Sequence, residues 1–273
     1  MNNLKLSDKT SLQFTPIYAI LVGFAITFTI QLVQGLVALP GFFYAPLYHV
    51  LLPLAFFAST VACILLLKAW FKVSTEEIKS WIFHPTSIRN YLLGFLIYIL
   101  ALPFAEFTTS KIPTDIPFLK DLYQQFTESF GMMMDYKIAA FLTVCILAPI
   151  FEEIIFRGFI LRGMLKNGSN PWVAIVLSGL IFGAAHLNPW QFIGAGILGA
   201  VFGYVYYRTQ SLLLCILLHA INNTISFVLM LKYQTIEENI FDPSATSLIM
   251  ACLVLSLAAG YYLYKKTPNR QWN

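Results

Sequence analysis

The chain has 273 residues, 58% of them hydrophobic and 11% charged, with a formal net charge of +4. Apolar runs of about 20 residues recur along it, far more than a water-soluble core requires, so an ordinary soluble domain is excluded. No nucleic-acid-binding pattern accompanies the small positive charge, and where each lysine and arginine falls says more than their sum.

The expected fold class is all-α: a polytopic helical membrane protein of about eight transmembrane helices. The expected spans are 17–38, 47–69, 91–108, 138–161, 172–190, 192–208, 211–231 and 245–264, the third and sixth being short. They group as 1–137, the N-terminal transmembrane helices and connectors; 138–231, a core that carries the polar motifs; and 232–273, the final helix and tail. The first span has no small-residue cleavage site at its end and reads as a retained helix. After the second span, Ser74-T-E-Glu77 has capping-box spacing and leads into Ile78, Trp81 and Ile82, as in a short helix on the membrane interface. After the third, Leu119, Leu122, Tyr123, Phe126 and Phe130 fall at helical spacing opposite polar residues, the pattern of a surface-lying lid or brace. The four cysteines, Cys63, Cys145, Cys215 and Cys252, lie in apolar runs and form no C-x-x-C pair, so they read as small buried hydrophobes.

Lysine and arginine divide unequally between alternate loops. Twelve of the 17 fall on the side of the N-terminus, among them Lys5, Lys9, Lys68, Arg89, Arg208, Lys266 and Arg270. Four fall on the other side, Lys111, Lys120, Lys137 and Lys232, and Arg157 lies within a span. The positive-inside rule then expects an integral, multi-pass protein with both termini cytoplasmic.

The fourth span, 138–161, contains three charged residues, Glu152, Glu153 and Arg157. A charge at mid-bilayer costs about 2.5–3.5 kcal/mol on insertion scales, so each needs a partner or a function. Glu153 and Arg157 are one helical turn apart with the acid first, the better order for an ion pair. Glu152 is left on an adjacent face and must be protonated or find another cation or histidine. Pro149, three residues earlier, removes a backbone hydrogen bond and is expected to kink the span. The fifth span carries Phe182-GAA-His186 and the seventh His219-AIN-Asn223, each an i, i+4 pair on one helix face, so three helices can converge on one polar pocket. Asn222 and Asn223 point about 100° apart, so one of them can serve helix packing. Gly199 and Gly203, in G-x-x-x-G spacing, read as a close helix approach without chemistry.

In order, E-E-x-x-x-R, F-x-x-x-H and H-x-x-x-N resemble the motifs of the CAAX prenyl protease 2-like membrane peptidases, the CPBP or Abi family. The resemblance covers 138–231. It implies an intramembrane endopeptidase acting on a membrane-associated peptide or protein, with a site that opens toward the cytoplasm. It further implies that Glu152 and His186 hold and activate a water, and that His219 and Asn223 stabilise the oxyanion. Arg157 would lock Glu153 in place. The family has been called both a metalloprotease and a metal-free glutamate protease. If zinc is bound, Glu152, His186 and His219 would hold it; without an H-E-x-x-H, the metal-free mechanism is preferred. A proton-coupled transporter would also keep carboxylates and histidines in the membrane, but the other spans carry few polar residues. A non-enzymatic scaffold or bacteriocin-immunity protein is the third reading.

Overall fold

The computed structural model describes residues 12–44, 47–234, 240–268 and 272. Lys5, Lys9 and Arg270, counted above toward orientation, lie outside the described residues, as does the side chain of His49. Ten helices and no strand occur among the described residues, in agreement with the all-α expectation. They are α1 (Pro16–Phe43), α2 (Tyr48–Phe71), α3 (Thr75–Ile82), α4 (Ile88–Thr109), α5 (Pro117–Met134), α6 (Lys137–Lys166), α7 (Pro171–Ala184), α8 (Pro189–Thr209), α9 (Leu212–Tyr233) and α10 (Thr246–Lys266).

Six of these, α1, α2, α4, α6, α9 and α10, are long and apolar enough to cross a membrane. Between them lies the hairpin of α7 and α8, whose boundaries differ from those expected. The fifth span is not 172–190: α7 stops at Ala184 after 14 residues, and α8 starts at Pro189 and runs for 21. The third span is not short either, since α4 has 22 residues. The cause at the hairpin is local. Asn188 caps α8 by accepting from the Gln191 amide at 2.8 Å, and Pro189 takes the first helical position. A residue before proline is held extended, so Asn188 cannot make the reversal (φ −140°, ψ 148°), and Leu187 makes it in the left-handed region at φ 57°. At 1.5 Å per residue α7 is about 21 Å long, less than the roughly 30 Å hydrocarbon core.

The hairpin is packed backbone to backbone. A Cβ on Gly179 would lie 2.7 Å from the Gly196 carbonyl oxygen, a distance only glycine permits. Around it, α4 joins α10 through Ser256 Oγ, which donates to the Ile97 carbonyl at 2.8 Å, and Tyr204 Oη of α8 donates to the Gly260 carbonyl at 2.7 Å.

Both connectors fold as helices. In α3 the capping box is complete: Ser74 Oγ accepts from the Glu77 amide and Glu77 Oε2 from the Ser74 amide. Its Trp81 is buried edge-on against Phe159 of α6, ring centroids 5.5 Å apart, so α3 is docked against the bundle. At the opposite end α5 lays Tyr123 and Phe126 on Trp190, at the start of α8. Cys63, Cys145 and Cys215 are buried free thiols and Cys252 is half-buried, also as expected.

Candidate active site

The site is built on an irregular stretch of α6. Pro149 has no amide hydrogen, so a carbonyl one turn back loses its donor, and the helix adjusts by widening to π geometry over Leu142–Leu147. A neighbour supplies the replacement: Asn223 Nδ2 of α9 donates to the Val144 carbonyl at 2.8 Å. The expected kink is thus a π turn stitched to another helix. A second π segment, Ile154–Leu161, follows the glutamates, and there Ser178 Oγ of α7 donates to the Phe156 carbonyl at 3.1 Å. Both irregular stretches have their backbone satisfied from outside, as the interior of a bilayer demands.

Glu153 is the hub. Its Oε1 accepts from Arg157 Nη1 at 2.8 Å and from His219 Nδ1 at 2.9 Å. Arg157 also donates from Nη2 to the Gly199 carbonyl at 3.0 Å, and its guanidinium lies over the Phe182 ring, 4.6 Å from the centroid. Glu153 and Arg157 are fully buried, and Glu153 Oε2 and Arg157 Nε have no hydrogen-bond partner among the described residues. The pairing read from the sequence is therefore present. It also recruits a histidine from α9 and a carbonyl from α8, so Gly199, read as packing alone, serves the charged cluster as well.

Because a carboxylate oxygen can only accept, His219 Nδ1 carries the hydrogen and Nε2 is directed away from Glu153. That nitrogen faces Glu152 Oε2 at 3.8 Å, too far for a hydrogen bond but close enough for one water to touch both. The two neighbouring carboxylates have different surroundings: the Glu153 side chain has no exposure, that of Glu152 has 18%. Glu152 stands on its own face, as the helical spacing indicated.

His186 occupies the turn after α7. Its Nδ1 lies 2.9 Å from the Phe182 carbonyl, so that nitrogen donates and Nε2 keeps its lone pair. Among the described residues it makes no hydrogen bond to either glutamate. It is linked to the cluster through the Phe182 ring, which meets His186 and His219 edge-on at centroid distances of 5.0 and 5.6 Å and carries Arg157 on its face. Asn223 lies one turn beyond His219 and also stays off the glutamates. It belongs to a relay in which Tyr98 Oη donates to Asn222 Oδ1 at 3.3 Å, and Asn222 Nδ2 to Asn223 Oδ1 at 3.2 Å. Sequence reasoning passed over Tyr98; a tyrosine inside an apolar span needs a polar partner, and that was the available signal.

The zinc alternative can be tested on these contacts. Among the described residues no three His, Cys, Asp or Glu side chains are grouped so as to hold a metal ion. Glu152, His186 and His219 do not gather: His219 turns Nδ1 to Glu153, and His186 stays on its own helix turn. The donor set as arranged does not fit zinc.

Comparison with known proteins agrees with this motif-bearing segment. The family model described as "Type II CAAX prenyl endopeptidase Rce1-like" matches residues 135–225. Over 93 residues, 34% of the chain, the protein is 33% identical to "Putative membrane peptidase YdiL" of Bacillus subtilis (strain 168). Over 89 residues, 32% of the chain, it is 39% identical to "UPF0177 protein YaiF" of Lactococcus lactis subsp. lactis (strain IL1403). The matched stretches span 37% and 39% of those relatives, well under two thirds of their length. No solved structure matches the chain. The matched segment opens just before α6 and ends within α9, so it contains every residue of the charged cluster.

Proposed function

We propose that the protein is an intramembrane endopeptidase that hydrolyses a peptide bond of a membrane-associated substrate with a water activated by Glu152. The observation that carries this reading is the carboxylate, imidazole, carboxylate alignment, in which Glu153 fixes His219 and leaves its Nε2 3.8 Å from the more open Glu152.

A water beside Glu152 gives one proton to the carboxylate as its oxygen bonds to the scissile carbonyl carbon, and the carbonyl oxygen becomes an oxyanion. His186, whose Nε2 lone pair is left free by the bond from Nδ1 to the Phe182 carbonyl, is the second group assigned to that water; it stands on its own helix turn and must swing toward Glu152 to orient the attack. Groups fixed in a dry site then stabilise the oxyanion: the second N–H of Asn223 Nδ2, with the His219 imidazole beside it, its ring held in place by Glu153. Collapse breaks the C–N bond, and Glu152 returns its proton to the leaving amine. Arg157 touches no reacting atom; it is a positioning residue that holds Glu153 aimed at His219. The mechanism is metal-free. A prenylated CAAX-type tail is the substrate class that the Rce1-like family description suggests, and the cytoplasmic opening and orientation belong to the same proposal.

The test is Glu152→Gln, which keeps the shape and removes the base. The variant should insert and purify normally yet lose at least about 100-fold in proteolysis, the lower end for a general base. Comparing membrane peptides from cells with the wild type and with Glu152→Gln identifies the substrate; unchanged cleavage by the purified variant rules the mechanism out.

A further inference from the structure

At the end of the bundle that carries α3, far from the glutamates along α6, the start of α4 and the ends of α8 and α10 enclose a cavity of about 310 Å³. That is the lower end of the range for small-ligand pockets, about 300–1,000 Å³. Among the described residues its lining includes Thr86, Ser87, Arg89, Asn90, Arg208 and Lys266, three cations and three neutral polar groups with no carboxylate; Arg208 already donates to Thr267 and to the Tyr264 carbonyl, so Arg89 and Lys266 are the cations that face a ligand. Arg89 Nη2 donates to the Lys266 carbonyl at 3.1 Å, and Lys266 Nζ lies 5.6 Å from the Tyr262 centroid, so among the described residues neither charge meets an acid there. Asn90 adds an independent observation. It is 8% exposed, its Nδ2 donates to Thr86 Oγ1 at 2.8 Å, and its Oδ1 has no partner. A half-turn of that amide lets the Thr86 hydroxyl donate to Oδ1 and frees the NH₂ as one more donor. Cations, hydroxyls and a convertible amide around a membrane-interface cavity form a receptor for a phosphate.

We propose that this cavity binds a phosphate-bearing anion, the headgroup of an anionic phospholipid from the leaflet at this end of the bundle. The three helix ends that form it stand at the membrane interface, where basic pockets between helices meet lipid phosphates. Most of the lysines and arginines also lie on this side, which draws anionic lipid toward it.

The experiment is native mass spectrometry of the full-length protein released from bilayers of phosphatidylglycerol and phosphatidylcholine in equal parts, with thermal stability measured in parallel. The wild type should retain phosphatidylglycerol selectively. Arg89→Gln combined with Lys266→Gln should weaken that preference roughly 30-fold, the effect of two near-surface cations. Lys265→Gln, a neighbouring exposed lysine outside the lining, should keep it. Should the double variant fail to fold, Lys266→Gln alone, at an exposed side chain, should lower the preference about fivefold. Inorganic phosphate is the second arm: protection by millimolar phosphate together with displacement of the lipid would support the phosphate site and assign it to a soluble phosphate. Equal retention of the two lipids by the wild type, or full preference in the folded double variant, overturns the proposal.

Discussion

Replacing Arg157 with alanine tests the centre of the site. Arg157 and Glu153 are both fully buried, and the guanidinium serves Glu153 Oε1, the Gly199 carbonyl and the Phe182 face together. Its loss leaves Glu153 with His219 as its remaining partner among the described residues, because Oε2 already has none. Breaking a buried pair by removing one member costs about 3–5 kcal/mol, most of it from the stranded charge. At about 2–4 °C per kcal/mol, unfolding should fall by roughly 6–20 °C. The buried thiols of Cys63, Cys145 and Cys215 offer the readout, since a thiol-reactive dye reports their exposure as purified protein is heated. The companion variant combines Glu153→Gln with Arg157→Met and removes both charges at similar volume. It should recover most of the stability, as replaced buried pairs commonly do, while proteolysis stays lost because His219 Nδ1 no longer donates to a carboxylate. Melting of Arg157→Ala within about 2 °C of the wild type, or a double variant no more stable than the single one, would refute the hub role of Glu153.

Asn223→Ala should lower kcat by about 10²–10³-fold with KM little changed, and should also destabilise by about 1–3 kcal/mol because the Val144 carbonyl loses its donor; a normal kcat in folded protein removes Asn223 from the oxyanion role. Gly199→Ala would place a Cβ 3.0 Å from Phe182 Cδ1 and 3.1 Å from Gly179 Cα, so thermal unfolding should reveal a loss of about 1–3 kcal/mol, and an unchanged melting curve contradicts the close approach of α7 and α8. Purified active enzyme should contain no stoichiometric metal by elemental analysis, whereas reversible loss of metal and activity with a chelator reverses the preference for the glutamate mechanism. For orientation, a cysteine at exposed Asp115 should react with an impermeant reagent from outside intact cells and a reporter at residue 273 should read as cytoplasmic; the opposite pattern inverts the topology.

What the sequence made legible was whatever stands out against an apolar background. Glu152, Glu153, Arg157, His186, His219 and Asn223 were conspicuous because the membrane makes each expensive, and the four-residue spacing paired Glu153 with Arg157 directly. Contacts distant in sequence were not legible. That His219 would share the oxygen already bound to Arg157 depends on how α9 leans on α6, across 66 residues of separation. The π segments were hidden for a related reason: their unpaired carbonyls are tolerated because Asn223 and Ser178 reach them, and no local pattern in α6 announces those donors. The end of the fifth span was legible but misread. Hydropathy carries straight through Leu187 and Trp190, while Asn188-Pro189, an N-cap followed by a first-turn proline, marks a new helix.

The irregularity of α6 also explains how two adjacent glutamates can have opposite fates. Neighbours on a regular helix sit about 100° apart, so one carboxylate can turn into the cluster while the other faces its more open side. Here the π turn before Pro149 and the π segment after Glu153 bracket a short α-helical stretch, so the glutamates are set by contacts on either side of it. Donors from α7 and α9 hold those turns open, and α9 also brings His219. The helix that repairs the backbone of α6 therefore delivers the imidazole between the two carboxylates. Burying Glu153 against Arg157 cancels one charge and fixes the ring. Glu152 remains the more exposed acid of the cluster, and the group it faces, at 3.8 Å, is the imidazole that Glu153 has already oriented.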